Sequence, residues 1–101
     1  MPKENYTVTV DRELEGLIPE YIKNREEELQ ILRTSLAGED FEELRRRGHR
    51  MKGVGVPYGF DQVSELGAQI EDGAKAKNKA VLDKLVNRYA TFLSRVTIVW
   101  E

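Results

Sequence analysis

The sequence has no cysteine and a single histidine. The lack of cysteine excludes disulfide bonds, thiolate metal ligands and a thiol nucleophile. One histidine without cysteine cannot build a nitrogen or sulfur metal site, so a metal enzyme is the least favoured class. No apolar run is long enough to span a bilayer, and the polar, acidic N-terminus has no signal-peptide pattern. These absences predict a soluble, cytoplasmic protein.

The chain has 101 residues, a net charge of -2 and 40% hydrophobic content. A chain of this size forms one domain around one core, which we expect to cover residues 1–101. The helical part should span about 14–96, with terminal extensions at 1–10 and 97–101. Nucleic-acid binding is not expected, because no basic stripe beyond one arginine cluster would follow a phosphate backbone.

Apolar residues recur at alternating steps of three and four, the spacing that buries one face of a helix. Four such segments follow one another with short polar or glycine-rich connections. This pattern predicts an all-α protein, an antiparallel four-helix up-down bundle. Asp11 should cap a short helical turn, Pro19 suits the start of the first long helix, and Gly38 should end it. Asp40 and Asn78 should cap two later helices.

Two details of burial follow from the same spacing. In the first long helix the stretch from Lys23 to Glu28 is nearly all charged, so we expect it to face solvent. In the last helix the predicted apolar stripe is Leu82, Leu85, Val86, Tyr89, Leu93 and Val96.

Both ends of the chain show an alternation of period two. Tyr6, Val8 and Val10 alternate with threonines, and Val96, Ile98 and Trp100 alternate near the other end. Such alternation is typical of a strand with one buried face. The two segments could pair, or both could be frayed extensions, because an isolated two-stranded ribbon is only marginally stable.

The histidine lies in a basic segment, RRRGHRMKGVG at residues 45–55. If this segment is helical, its buried seam consists of Phe41, Leu44, Gly48, Met51 and Gly55. His49 then lies beside the seam, with Arg45 one turn before it and Lys52 one turn after it. Positive neighbours should keep the ring neutral and nucleophilic, and they would stabilise an anion such as a phosphoryl group.

Three stretches in and after this segment share a family pattern: GHRMKGVG at 48–55, YGF at 58–60 and LGAQIE at 66–71. Together they resemble the core of a histidine-containing phosphotransfer (HPt) domain. The resemblance extends from about Leu14 to Val96. The sequence departs from the commonest pattern at Gly48, where many members have alanine, and at Pro57.

The resemblance implies a four-helix bundle whose histidine takes a phosphoryl group from a receiver-domain aspartate or a kinase and passes it to another receiver. It implies His49 as the phospho-acceptor and Glu71 as a carboxylate that faces the ring. Lys52, one turn from His49, would pair with the phosphoryl oxygens. The chain itself would bind no metal or cofactor, and the divalent cation, Mg²⁺, would lie on the receiver.

A partner-docking surface is expected around the histidine. Gly53 lacks a Cβ and would let a partner approach closely. The remaining predicted docking residues are Arg45, Arg46, Gly48, Arg50 and Val56. For the arginines an ordinary solvated helix face is the more frequent explanation.

The expected partners are response-regulator receiver domains and a sensor or hybrid histidine kinase. We expect a monomer that binds neither nucleic acid nor membrane, and a phosphotransfer intermediate rather than a stand-alone enzyme. Two alternatives remain open: a helical adaptor that binds a kinase or receiver without phosphotransfer, and a structural bundle unrelated to signalling. The presence of both His49 and Lys52 argues against the first of these.

Overall fold

The computed structural model describes residues 6–101, and helices make up most of this part of the chain. The four long helices are α1 (Ile18–Ala37), α2 (Phe41–Val54), α3 (Asp61–Lys75) and α4 (Lys79–Arg95). Strands β1 (Tyr6–Val10) and β2 (Val96–Trp100) lie before and after them. The predicted all-α, four-helix fold class is confirmed, with a small sheet added to it.

The three side-chain caps that the sequence predicts, at Asp11, Asp40 and Asn78, are present. Oδ1 of Asp11 accepts a hydrogen bond from the backbone N–H of Glu13 at 2.9 Å and so begins the 3-10 turn Arg12–Leu17. Asp40 and Asn78 cap α2 and α4 in the same way. A side-chain oxygen at this position satisfies an amide that the first turn of a helix leaves without a partner.

The helices close around one core. Helices that follow one another in the chain pack together, and α1 also packs on α4. With short connections, this arrangement fits the predicted antiparallel up-down order. The largest fully buried side chains are Tyr89, Phe60, Phe92, Leu32, Leu44, Met51, Ile70, Leu82, Val10 and Val63.

Two glycines allow α2 and α3 to come into backbone contact. A Cβ added to Gly48 would lie 2.7 Å from the carbonyl oxygen of Gly67, and a Cβ on Gly67 would lie 2.7 Å from that of Gly48. Real side chains do not tolerate such distances. The pair therefore sets the spacing of the two helices that carry His49 and Glu71.

The two ends of the chain form a parallel sheet, which confirms the paired alternative of the two that the sequence left open. Tyr6 lies opposite Val96, and the register continues to Val10 opposite Trp100. The pair is stable because it packs on the helices: Val8 and Val10 are buried in the core, and the ring of Tyr6 lies 5.3 Å from that of Phe92. Residues 1–5 of the predicted N-terminal extension lie outside the described residues.

The prediction that Lys23 to Glu28 faces solvent is wrong for Glu28, which is 5% exposed. Its Oε1 accepts a hydrogen bond from the Tyr89 hydroxyl at 2.8 Å and lies 3.3 Å from Nε of Arg25. Glu28 follows Tyr21 by seven residues and precedes Leu32 by four, so helical periodicity places it on their buried face.

The predicted stripe of α4 also needs correction. Phe92 is completely buried although it was left out, and Leu93 is only partly buried. Phe92 lies three residues after Tyr89 and therefore on the same face of the helix. Val96 lies beyond α4, because the helix ends at Arg95 and β2 begins at the next residue.

Candidate functional site

The site is built on the exposed flank of α2. Leu44, Gly48 and Met51 are buried, as the predicted seam requires, and they hold this face of the helix against the core. His49 follows Gly48 directly and therefore points to the side of the seam. Its side chain is 67% exposed, so a partner protein can reach the imidazole from solvent.

The ring of His49 contacts a carboxylate on the neighbouring helix α3. Nδ1 of His49 lies 2.9 Å from Oε2 of Glu71, whose side chain is only 7% exposed. An ionised carboxylate can only accept hydrogen bonds, so this contact requires the hydrogen on Nδ1. In a neutral ring, Nε2 then has a free lone pair.

Two lysines share the same carboxylate. Nζ of Lys52 donates to Oε1 of Glu71 at 3.0 Å, and Nζ of Lys75 lies 3.9 Å from Oε2. The hydrogen bond from Lys52, followed by that from His49, holds the pKa of the Glu71 carboxyl below its usual range. Glu71 therefore stays ionised and keeps its role as an acceptor.

The contact between His49 and Glu71 is the one that the family resemblance implies. Of the two cations expected beside the ring, Lys52 bonds to the same carboxylate, and the structure corrects the placement of the other. Arg45 bonds instead to Glu42 on its own helix, because residues three apart are neighbours on a helix surface. Lys75 was not predicted. Its position four residues after Glu71 on a helix was the available signal.

Gly53 and Val56 lie on an open surface that follows His49 along the chain. A Cβ added to Gly53 would meet no atom within 4 Å, and Val56 is 59% exposed. Arg46 and Arg50 are exposed too, and Arg46 forms an ion pair with Glu43 at 3.2 Å. The structure thus leaves these predicted docking residues within reach of a partner.

Gly48 does not belong to that surface. It is buried, and a Cβ at this position would lie 2.6 Å from the backbone nitrogen of Glu71. The docking prediction for Gly48 is therefore wrong, and its place in the buried seam explains the choice of glycine: α3 occupies the space in which a side chain would stand.

Within residues 6–101 no three His, Asp or Glu side chains come together as metal ligands. None of the helices in the described residues combines the length and the hydrophobicity that a membrane span requires.

Comparison with known proteins gave one informative result. No curated protein and no solved structure matched the chain. A family model described as Hpt domain matches residues 16–96, a range that contains all four helices together with His49, Lys52 and Glu71. Since this match covers well over half of the sequence, the chain belongs to the Hpt domain family.

Proposed function

We propose that His49 accepts a phosphoryl group from the aspartate of a receiver domain, or from a histidine kinase, and passes it to another receiver. Hpt domains carry out histidine phosphotransfer in phosphorelays, which supplies the class of reaction. The observation that supports the assignment to His49 is its 2.9 Å contact with Glu71 on an otherwise exposed ring. His49 is also the only histidine in the chain.

The transfer step needs no general base on this chain. Nε2 of His49 attacks the phosphorus atom of the aspartyl phosphate and forms the N–P bond. The P–O bond to the aspartate breaks, and the carboxylate leaves with the electron pair. The proton on Nδ1 stays in place, and the Glu71 carboxylate stabilises the positive charge that the ring acquires.

Lys52 is proposed to stabilise the incoming phosphoryl group. Its ammonium group has three donors and needs only one for the 3.0 Å bond to Glu71. The side chain is 45% exposed, so the remaining donors can reach phosphoryl oxygens beside the ring. Lys75 lies further from the carboxylate and would add charge without a defined hydrogen bond.

The receiver is expected to dock over Gly53 and Val56 and to bring its divalent cation, Mg²⁺, with it. Catalysis of phosphoryl transfer consists mainly of positioning and of stabilising charge. In this proposal the chain positions the nucleophile and the receiver supplies the cation. Arg50, exposed next to the ring, would meet the acidic rim of such a partner.

The test is transfer of labelled phosphate from a phosphorylated receiver to the purified protein. The parent should take up acid-labile label, and His49→Gln should take up none, because glutamine has no nucleophilic nitrogen. Lys23→Gln, which changes an exposed residue of α1, is the control and should match the parent. Label on His49→Gln would overturn the assignment, and a parent that binds receivers without taking up label would indicate an adaptor.

A further inference from the structure

The small sheet has two strands, so within residues 6–101 neither of its outer edges has a strand partner. Gly59 covers the outer edge of β1 at Thr9, because a Cβ on Gly59 would collide with the carbonyl oxygen of Thr9. The outer edge of β2 is more open. Ile98 is only half-buried, whereas Val8, its neighbour in β1 on the same face of the sheet, is buried.

The direction of the backbone groups shows which atoms this edge presents. Glu101 donates its N–H to the carbonyl of Val10 at 2.9 Å and accepts with its C=O from the N–H of Arg12 at 3.2 Å. Both groups of Glu101 thus point towards β1 and its continuation. Successive residues of a strand point these groups to opposite sides. Ile98 and Trp100 therefore present their N–H and C=O groups at the open edge.

The strand also lacks the features that usually protect such an edge. Natural edge strands carry charged residues, proline or a bulge that prevents another strand from pairing. The sequence of β2 is VTIVW, without charge or proline, and its register with β1 is unbroken. An uncharged strand rich in β-branched residues is a ready template for a further strand.

We propose that a second copy of this chain occupies the edge, with the two β2 strands antiparallel about a two-fold axis at Ile98. This register places Ile98 opposite its own counterpart, and Val96 of one copy opposite Trp100 of the other. Antiparallel strands exchange backbone hydrogen bonds between opposed residues at alternate positions. In this register Ile98 lies opposite Ile98, and Trp100 lies opposite Val96. The backbone N–H and C=O groups of all these residues point outward, so they can form the hydrogen bonds that the register requires.

Charge complementarity supports the same register. It brings Arg95 of one copy, the last residue of α4 before β2 begins, close to Glu101 of the other copy, the residue that follows β2. Both residues are exposed, and within the described chain neither forms an ion pair. Because the two-fold axis repeats every contact, an opposite-charge pair forms at each end of the paired strands.

The assembly should stop at two copies. In the described part of each copy only the edge of β2 is uncovered along its length, since Gly59 covers the edge of β1 at Thr9, and an isologous contact uses the edge of β2 completely. A pair of five-residue strands is a small interface, so association should be weak and depend on concentration. This proposal replaces the monomer that the sequence led us to expect.

Sedimentation equilibrium tests the proposal on the full chain, at concentrations from about 10 µM to about 1 mM. The parent should show a monomer–dimer equilibrium. Arg95→Glu and Glu101→Arg should each weaken dimerisation about tenfold, and their combination should restore the parent value to within about threefold. Lys84→Glu, an exposed charge change elsewhere on α4, is the matched control and should leave the equilibrium unchanged.

Hydrogen exchange locates the contact. The amides of Ile98 and Trp100 should exchange more slowly as the protein concentration rises. The amides of Thr97 and Val99 point towards β1 and should be protected at every concentration, which provides an internal control. A monomer at about 1 mM would overturn the proposal. A double variant that dimerises no more strongly than the single variants would also overturn it, as would assemblies larger than two copies.

Discussion

The imidazole of His49 and the carboxylate of Glu71 belong to different helices and lie 2.9 Å apart, with the ring exposed and the carboxylate nearly buried. Burial restricts the motion of the Glu71 carboxylate, and exposure leaves the His49 ring accessible to a partner protein. The close backbone approach at Gly48 and Gly67 makes this distance possible, because a side chain at either glycine would push α2 and α3 apart. The site thus depends on packing beneath it as much as on its own charges.

We predict that Glu71→Gln slows phosphotransfer to the protein by about tenfold to a hundredfold without abolishing it. The amide can still accept a hydrogen bond from Nδ1, but it no longer stabilises positive charge on the ring. The rate is measured by quench-flow with a phosphorylated receiver. Glu65→Gln, an exposed residue of the same helix, is the control. A Glu71→Gln rate equal to that of the parent would remove Glu71 from the mechanism and leave His49 in place.

The two lysines should differ in importance. Lys52 makes a 3.0 Å hydrogen bond to Glu71, whereas Lys75 lies at 3.9 Å and is more exposed. Lys52→Ala should slow transfer by about tenfold to a hundredfold, and Lys75→Ala by no more than about threefold. The same transfer assay compares the two variants. Equal losses of transfer rate would show that the net charge of the site, and not the hydrogen bond of Lys52, determines the rate.

Much of the site could be predicted from the sequence because it depends on helical spacing. The seam through Leu44 and Met51 places His49 on the flank of α2, and the family pattern points to Glu71. The ion pair between Arg45 and Glu42 also fits a helical spacing of three, but the same spacing places Arg45 one turn before His49, and spacing alone does not decide between the two contacts. Helical spacing thus identifies the residues of the site, but it does not show which partner each side chain contacts.

Other features needed the three-dimensional structure. Period-two alternation indicates a strand but contains no information on the direction of its partner, so the parallel pairing of Tyr6 with Val96 was not predictable. The burial of Glu28 depends on Tyr89, which is 61 positions away in the chain. A charged stretch is usually solvated, and only the packing of α1 on α4 reveals this exception.

Two glycines of α2 should respond in opposite ways to substitution. Gly53→Trp should leave the fold intact, because a Cβ there meets open space, and should block transfer by obstructing the receiver. Gly48→Ala should destabilise the protein by about 3 kcal/mol, because the methyl group would lie 2.6 Å from the backbone nitrogen of Glu71. Urea unfolding and the transfer assay, applied to both variants, separate the two effects. A Gly53→Trp protein with the parent rate of transfer would place the docking surface elsewhere.

The buried carboxyl of Glu28 should make stability depend on pH in an unusual direction. Burial raises the pKa of Glu28 above its ordinary value of 4.5, although Arg25 opposes the shift. The folded state therefore binds this proton more tightly than the unfolded state. The stability that Glu28 contributes is fully present below about 4.5 and is lost as the pH rises through the pKa of the folded state.

Glu28→Gln isolates this effect, because glutamine resembles the protonated carboxyl and does not titrate. The free energy of unfolding of Glu28→Gln, relative to the parent, should therefore increase as the pH rises from 4.5 towards neutrality. Urea unfolding at a series of pH values measures this difference. Glu27→Gln, the exposed neighbour on α1, should show no such drift. A relative stability that falls with rising pH would mean that Arg25 and Tyr89 compensate the buried charge completely, and that the carboxylate stabilises the bundle.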